Sequence, residues 1–355
     1  MIEKMSVKNF RGLANVALSF APFTLIGGAN NVGKTSVLEA VFLLYGHRSP
    51  LVFQQLRSFR NASAPVAEAR ELWENIFNDY DLSKYLSISA VRDKNSESLE
   101  VYRDDSYDIA GELTQIPQDA KLPTSSLGLS YPLKVLYKYG KKETQFHLAI
   151  NTDAMGTNIF ARGNNNSPAA NIGNIPTVTF SSDRLLNTPH LYDLLGKISR
   201  NKQKDKAVNV LKDIDGRIND IVLGEKQQIY LDVTGLIEMI PLTFMGTGVS
   251  NVLYWTALAL SDSAKIILID EIENGIHYSS MQSVMEKLCD IGERHDCQII
   301  ATTHSIDCVR SFSKCSEKRI SYIRLERSLE TGEVSPVVID AQLLPEMLES
   351  DWEVR

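Results

Sequence analysis

Hydrophobic and polar positions change rhythm several times along the chain. Met5-Ser6-Val7-Lys8-Asn9-Phe10 and Val16-Ala17-Leu18-Ser19-Phe20 alternate, which predicts two short antiparallel strands. Phe23-Thr24-Leu25-Ile26 runs apolar and predicts a buried strand. A Gly/Asn-rich turn follows. Val37–Tyr45 is then apolar on nearly every side, the pattern of a helix buried all round. Strand, glycine loop and helix together make the first half of a nucleotide-binding unit.

Over residues 46–175 the rhythm is weaker. The spacing predicts a helix over Ala67–Phe77, strands at Leu86–Val91 and Leu99–Tyr102, and a long hairpin over Leu133–Ile150 turning at Gly140-Lys141-Lys142. Gly163–Pro168 is a turn-rich loop, and Thr177–Phe180 reads as a strand. From 190 to 223, Leu191, Leu194, Leu195, Ile198, Val208, Leu211, Ile214, Ile218 and Ile221 fall at helical spacing. Ile229–Val233 and Ile237–Phe244 read as strands. An alternation follows: helix Val249–Leu260, strand Lys265–Ile269, helix Ser279–Arg294, strand Gln298–Ala301, helix Ile306–Phe312. That order implies a parallel sheet covered by helices. Ile320–Leu325 and Val334–Ile339 read as closing strands. No repeat, low-complexity tract or long heptad run interrupts the pattern.

Composition narrows the classes. The 355 residues are 43% hydrophobic and 23% charged, ordinary globular usage, which suits about two domains or one large lobed domain. Thirty-seven Lys+Arg against 44 Asp+Glu give a net charge of −7, so no global positive field draws the chain to nucleic acid or a membrane. The start MIEKMSVKNFRGL has no apolar run behind a basic segment, and Val252–Leu260 falls short of the ~20 residues that span a bilayer. Cys289, Cys297, Cys308 and Cys315 form no CxxC pair and read as reduced thiols. The expected location is cytoplasmic. Arg57–Arg60 and Lys202–Lys206 read as solvated faces, and Trp73, Trp255 and Trp352 as packing residues.

Gly28-Ala29-Asn30-Asn31-Val32-Gly33-Lys34-Thr35 matches G-x-x-x-x-G-K-[ST], with Ser36 behind it. The glycines let backbone N–H groups face a phosphate, and the helix adds its positive end. Lys34 is placed to reach the β- and γ-phosphates of a nucleotide, and the Thr35 hydroxyl to ligate Mg²⁺. Ile266–Ile269 delivers Asp270 toward the metal and Glu271, one step on, toward an attacking water. Ile299–Thr303 ends at His304, where a parallel sheet presents ligands and an imidazole can bond a γ-phosphate. Gly246, Thr247, Gly248 and Ser250 open a helix ahead of the acidic strand, a second anion-friendly helix start.

This order resembles an ABC-type ATPase of the SMC/RecF group, and within it the OLD-like ATPases. The resemblance rests on Lys8–Leu13 (KNFRGL), Gly27–Ala40, Met245–Leu253 (MGTGVSNVL), Ile269–His277 (IDEIENGIH) and Ile300–Ser305 (IATTHS). It implies an α/β fold: an ABC ATPase head with a mainly parallel nucleotide-binding sheet flanked by helices, an antiparallel β subdomain and a helical lobe. The expected division is one discontinuous domain over 1–355. Its core is 1–50 and 225–355, with a β-rich insertion at 51–180 and a helical lobe at 181–224.

The resemblance further implies two heads sandwiching two ATP molecules with Mg²⁺, as a homodimer or a higher even oligomer. Lys34, Thr35, Asp270, Glu271 and His304 come from one subunit, and Gly246–Ser250 completes the site in trans. Arg11 resembles an arginine near the phosphates, and Asn274–His277 sits where the family carries the loop joining the two sites. Met245 or Thr243 stands where the signature serine is expected, which weakens fast hydrolysis. Ser181–Arg184 is a weak stand-in for a glutamine switch. OLD nucleases continue into a Toprim domain, but the roughly fifty residues after His304 carry no D-x-D. The expectation is an anti-phage ATPase that regulates a separate effector, a Toprim or HNH nuclease. The alternatives are a RecF-like DNA-repair ATPase, which the net charge does not favour, and a scaffold in which ATP is only structural.

Overall fold

Aliphatic runs with no polar face hold as strands only when both faces are covered. In this computed structural model, β3 (Phe23–Gly28), β9 (Val178–Ser181), β13 (Ile266–Ile269), β14 (Gln298–Thr302) and β15 (Ile320–Arg327) lie side by side in parallel, with β16 (Val334–Ile339) antiparallel at one edge. The structure describes residues 1–49, 51–60, 73–107, 132–153, 156–163, 175–181, 188–315, 320–340 and 342–349.

A second sheet is wholly antiparallel, in the order β2-β1-β4-β5-β6-β7-β8. Its strands are β1 (Ile2–Phe10), β2 (Leu13–Ser19), β4 (Leu86–Arg92), β5 (Asn95–Arg103), β6 (Leu133–Tyr139), β7 (Lys142–Asp153) and β8 (Gly156–Gly163). Strands β4, β5 and β6 bury every second residue, so one face is packed and the other is open.

Between the two sheets runs α1 (Lys34–Gly46), touching β1 and β4 on one side and β3, β13 and β14 on the other. Its all-round apolar sequence is the consequence. On the far face of the parallel sheet lie α5 (Thr247–Leu260), α6 (Tyr278–Arg294) and α7 (Ile306–Phe312). With them pack α3 (Thr188–Arg200), α4 (Lys204–Leu211) and a small sheet of β10 (Ile218–Leu223), β11 (Ile229–Val233) and β12 (Ile240–Pro241). Two cores result. Ile267, Ile269, Ile299 and Ala301 face the helices, while Ile266, Leu268 and Ile300 face α1 and the antiparallel sheet.

Polar ties hold these layers in place. Gln298 is buried, and its side chain accepts from the Ile2 amide at 2.8 Å and donates to the carbonyls of Ile2 and Ala21. The buried Glu97 carboxylate takes the hydroxyls of Tyr45 (2.5 Å) and Tyr137 (2.8 Å) and the Arg92 Nε (3.1 Å), joining the end of α1 to the antiparallel sheet. Trp255 Nε1 donates to Ser181 Oγ at 2.8 Å, joining α5 to β9.

The expected architecture is present, with local corrections. Ile218 and Ile221 belong to a strand, not a helix: a register shift between Ile218 and Asp220 turns both isoleucines inward, which imitates helical spacing. Only Ile240–Pro241 of the expected strand Ile237–Phe244 pairs, and Ile237 stands fully in solvent at the tip before it. β8 and the short helices α2 (Val52–Ser58) and α8 (Leu344–Glu349) were not expected. Most of the expected helix Ala67–Phe77 lies outside the described residues, as do 164–168, Asp183, Arg184 and Trp352; Phe77 itself bridges to Phe10. β1 and β2 share a sheet with β4–β8, and β9 sits in the parallel sheet. Trp73, Trp255 and the four free cysteines are buried. No helix among the described residues is long and apolar enough to cross a membrane.

His47 closes α1. Its Nδ1–H donates to the Leu44 carbonyl at 2.6 Å and its ring lies 4.1 Å from that of Tyr137. Burial pushes its pKa down to about 4 from 6.5, against the Leu44 bond. Between those values the unfolded chain binds the extra proton, so stability is full above pH 6.5 and falls as pH drops toward 4, by at most ~1.4 kcal/mol per unit. Chemical denaturation across pH should show that slope in the native chain and a flatter one in His47→Gln.

Candidate active site

The parallel register decides which residues meet. Thr302 lies beside Ile26 and Ala301 beside Ile269, so β3, β14 and β13 end at one level. The loops that leave those ends carry the phosphate-loop residues, His304 and Asp270, at the carboxyl edge where open parallel sheets bind ligands. Gly28 (φ 129°) and Gly33 (φ 98°) take the left-handed turns that fold the loop back onto α1. A Cβ on Gly28 would lie 2.4 Å from the Leu325 carbonyl, so only glycine fits. No side chain caps the start of α1, which leaves its first N–H groups facing the loop. Asn30 and Asn31 are exposed on the loop, whereas Val32 is buried and can offer only its backbone.

Lys34 is the loop's cation. Its Nζ donates to the carbonyls of Gly28 (2.7 Å) and Ala29 (2.8 Å) and lies 3.2 Å from His304 Nδ1. Burial lowers its pKa to about 8, against the pull of Asp270, Glu273 and Glu271. The Thr35 hydroxyl reaches both Asp270 oxygens at 3.1 Å, and the Thr302 hydroxyl donates to Oδ1 at 2.6 Å. Burial pushes the Asp270 carboxyl up, while the Thr302 and Thr35 bonds pull it down. Glu271 follows in left-handed backbone (φ 54°), a strained conformation for a residue with a side chain. Its amide donates to Thr302 Oγ1 at 2.9 Å, and its carboxylate stands 3.8 Å from His304 Nε2. Lys34, Thr35, Asp270, Glu271 and His304 therefore converge, as expected.

Arg11 lines the same cleft as Lys34, Thr35 and His304, and its guanidinium is held there by the protein itself. It sits in left-handed backbone at the β1–β2 turn, and its guanidinium donates to the carbonyls of Asn75 (3.2 Å) and Leu56 (3.1 Å). Its Nε stands 2.9 Å from the fully buried Glu39 as an ion pair, misaligned for a hydrogen bond. A second arginine, Arg60, joins it at the loop end of α1. It grips Glu39 with Nε and Nη2, both at 2.8 Å, and donates to Ser36 Oγ at 3.0 Å, with its side chain still 43% exposed. Reading Arg57–Arg60 as a solvated face missed this because Glu39 lies one helix turn beyond the motif, on a helix whose burial shows only in the fold. Lys34, Thr35, Arg60, Tyr80, His304 and Arg327 line a cleft of about 650 Å³. That is within the roughly 300–1,000 Å³ of small-molecule sites.

The second glycine loop divides. Gly246 and Thr247 are exposed at the start of α5. Gly248 is pressed against the loop after β13, where a Cβ would lie 1.9 Å from the Gly275 carbonyl. Ser250 is buried, because α5 is covered on nearly all sides, so the outward positions are Gly246 and Thr247. Ser181 is spent on Trp255. Glu273, which sequence reasoning passed over, joins the site by accepting from the His304 amide at 2.7 Å, and Asn274, expected only in the loop joining the two sites, donates from Nδ2 to Glu271 at 2.7 Å.

Residues 23–307 match the model of the family described as "AAA domain, putative AbiEii toxin, Type IV TA system". An ATP/GTP phosphatase of Helicobacter pylori is 27% identical over 326 residues, covering 86% of this chain and 85% of that protein. An OLD nuclease of Thermus scotoductus is 43% identical over 60 residues, 17% of this chain and 11% of that protein. Among solved structures, the Smc head domain with an extended coiled coil, bound to the C-terminal domain of ScpA from Pyrococcus furiosus, superposes with a TM-score of 0.50. Its sequence identity is 12%, over 98% of each chain.

Removing Glu39 would leave the Arg11 guanidinium, 8% exposed, buried without its counter-charge. Glu39→Ala should therefore lose about 3–5 kcal/mol of unfolding free energy in urea titrations, and Glu39→Gln less, because it keeps hydrogen-bonding capacity.

Proposed function

The chain belongs to the AAA-domain, AbiEii-toxin family and is an ATPase of the ABC/SMC type related to OLD, and from that premise we propose that its nucleotide-driven dimerisation regulates a separate effector in anti-phage defence. The supporting observation is the meeting of Thr35 and Asp270 at 3.1 Å beside Lys34. Asp270 is half-buried and accepts from the Thr35 and Thr302 hydroxyls, a donor set that suits a hard divalent ion. Thr35 and Asp270 would hold Mg²⁺, which supplies charge neutralisation on the β- and γ-phosphates.

In this reading the residues divide the work of moving one phosphoryl group to water. Lys34 exchanges its bonds to the Gly28 and Ala29 carbonyls for the phosphates. Backbone N–H groups of Asn30–Lys34 and the start of α1 cradle them, and Arg60 adds a second cation beside Ser36. Glu271 takes the proton of the attacking water as its oxygen bonds to the γ-phosphorus and the bridging bond to ADP breaks. His304 bonds the γ-phosphate and, standing between Lys34 and Glu271, registers its presence. Gly246 and Thr247 of a second copy close each site.

The whole chain acts as one discontinuous domain in the cytoplasm, with β1, β2 and β4–β8 as one lobe. A Toprim or HNH nuclease is the effector of this reading.

Lys34→Ala should abolish nucleotide binding. Glu271→Gln should keep binding, lose about 10²–10⁴-fold in hydrolysis and double its native mass in Mg-ATP. Native mass spectrometry with a phosphate-release assay checks both. A Glu271→Gln chain that turns over at the native rate removes Glu271 as the base, and a mass indifferent to nucleotide removes the dimer switch.

A further inference from the structure

We propose that Glu273 and Asn274 are a positioning pair, each fixing one member of the Glu271–His304 couple; this rests on the roles given to those two residues above. Glu271 and His304 leave different strands, β13 and β14, and both side chains are partly in solvent, 48% and 38% exposed. Nothing in the strand register sets the distance between their reacting atoms. Consecutive residues of the loop after β13 supply that constraint. Asn274 Nδ2 donates to Glu271 Oε2 at 2.7 Å, the one hydrogen bond to that carboxylate among the described residues. Glu273 Oε1 accepts from the backbone amide of His304 at 2.7 Å, which fixes the loop that aims the imidazole. Its other oxygen is buried without a hydrogen-bond partner, so its hydrogen bonding is committed to His304.

The loop that carries the pair cannot drift. The Asn274 amide donates to the Glu271 carbonyl at 3.0 Å and the Ile276 amide to the Glu273 carbonyl at 3.1 Å, closing two turns. Ile272 and Ile276 are buried at either end. Behind it, Gly248 of α5 meets Gly275 backbone to backbone, and Gly275 itself is left-handed (φ 77°). The pair thus transmits the position of the second glycine loop to the carboxylate and imidazole in the same subunit.

The two residues differ in what they lend: Glu273 an acceptor, Asn274 a donor. Their isosteric exchanges therefore have opposite outcomes. Mg-ATP dissociation constants and steady-state kcat and KM are measured for Glu273→Ala, Glu273→Gln, Asn274→Ala and Asn274→Asp, beside Glu271→Gln. Both alanine variants should bind Mg-ATP within about twofold of the native chain and lose on the order of 10–100-fold in kcat, the scale of an ångström-level misplacement. Glu273→Gln keeps a carbonyl acceptor and should recover kcat. Asn274→Asp keeps the shape without the donor and should stay as slow as Asn274→Ala. Native kcat in the alanine variants, or in Asn274→Asp, overturns the proposal. So does a Glu273→Gln chain as slow as Glu273→Ala. Native kcat in Glu271→Gln would strike the role of Glu271 itself, whereas a slow Glu271→Gln beside fast alanine variants strikes the positioning pair alone.

Discussion

The site depends on the register of three parallel strands. β13, β14 and β3 are buried along their whole length, and β13 is aliphatic throughout, so Asp270 is the first residue after it that must leave the sheet. Sliding β13 inward by one position would draw Asp270 between the two cores, where a carboxylate has no partner. Sliding it outward would expose an isoleucine. The hydrophobic runs thus act as a ruler that holds Asp270 beside Thr302 and the phosphate loop.

Helix α1 carries this edge into the rest of the molecule. It is buried against both sheets, and it starts at the phosphate loop. Its single buried acid, Glu39, draws Arg11 from the β1–β2 turn and Arg60 from beyond α2 toward the same point. At its other end Tyr45 joins the Glu97 cluster of the antiparallel sheet. α1 thus ties the loop that holds Lys34 to a sheet far from it in sequence.

The legible parts were those whose local pattern and tertiary role coincide. Val37–Tyr45 reads as a helix buried all round and is one; the aliphatic runs before Asp270 and His304 read as buried strands and are. The misread parts are those where a tertiary detail rewrites a local rhythm. A bulge at Ile218–Asp220 gives a strand the spacing of a helix. Ile237, apolar but fully exposed, sits at a turn because the segment finds pairing only at Ile240–Pro241. β8 was missed because it lies in a stretch where turn residues outnumber apolar ones.

The sequence by itself determined the phosphate loop, the acidic strand, the His304 strand and their order, because each is a contiguous motif whose backbone geometry is fixed by its own glycines and aliphatics. Only the tertiary structure decided that Arg60 joins Arg11 at the cleft, what Glu273 and Asn274 hold, and which part of Gly246–Ser250 is outward. Those are questions of which side chains meet across elements. Arg11 and Arg60 carry the same charge, and what separates them is the distance of each guanidinium from Glu39, the Asn75 and Leu56 carbonyls and Ser36, which no local spacing encodes.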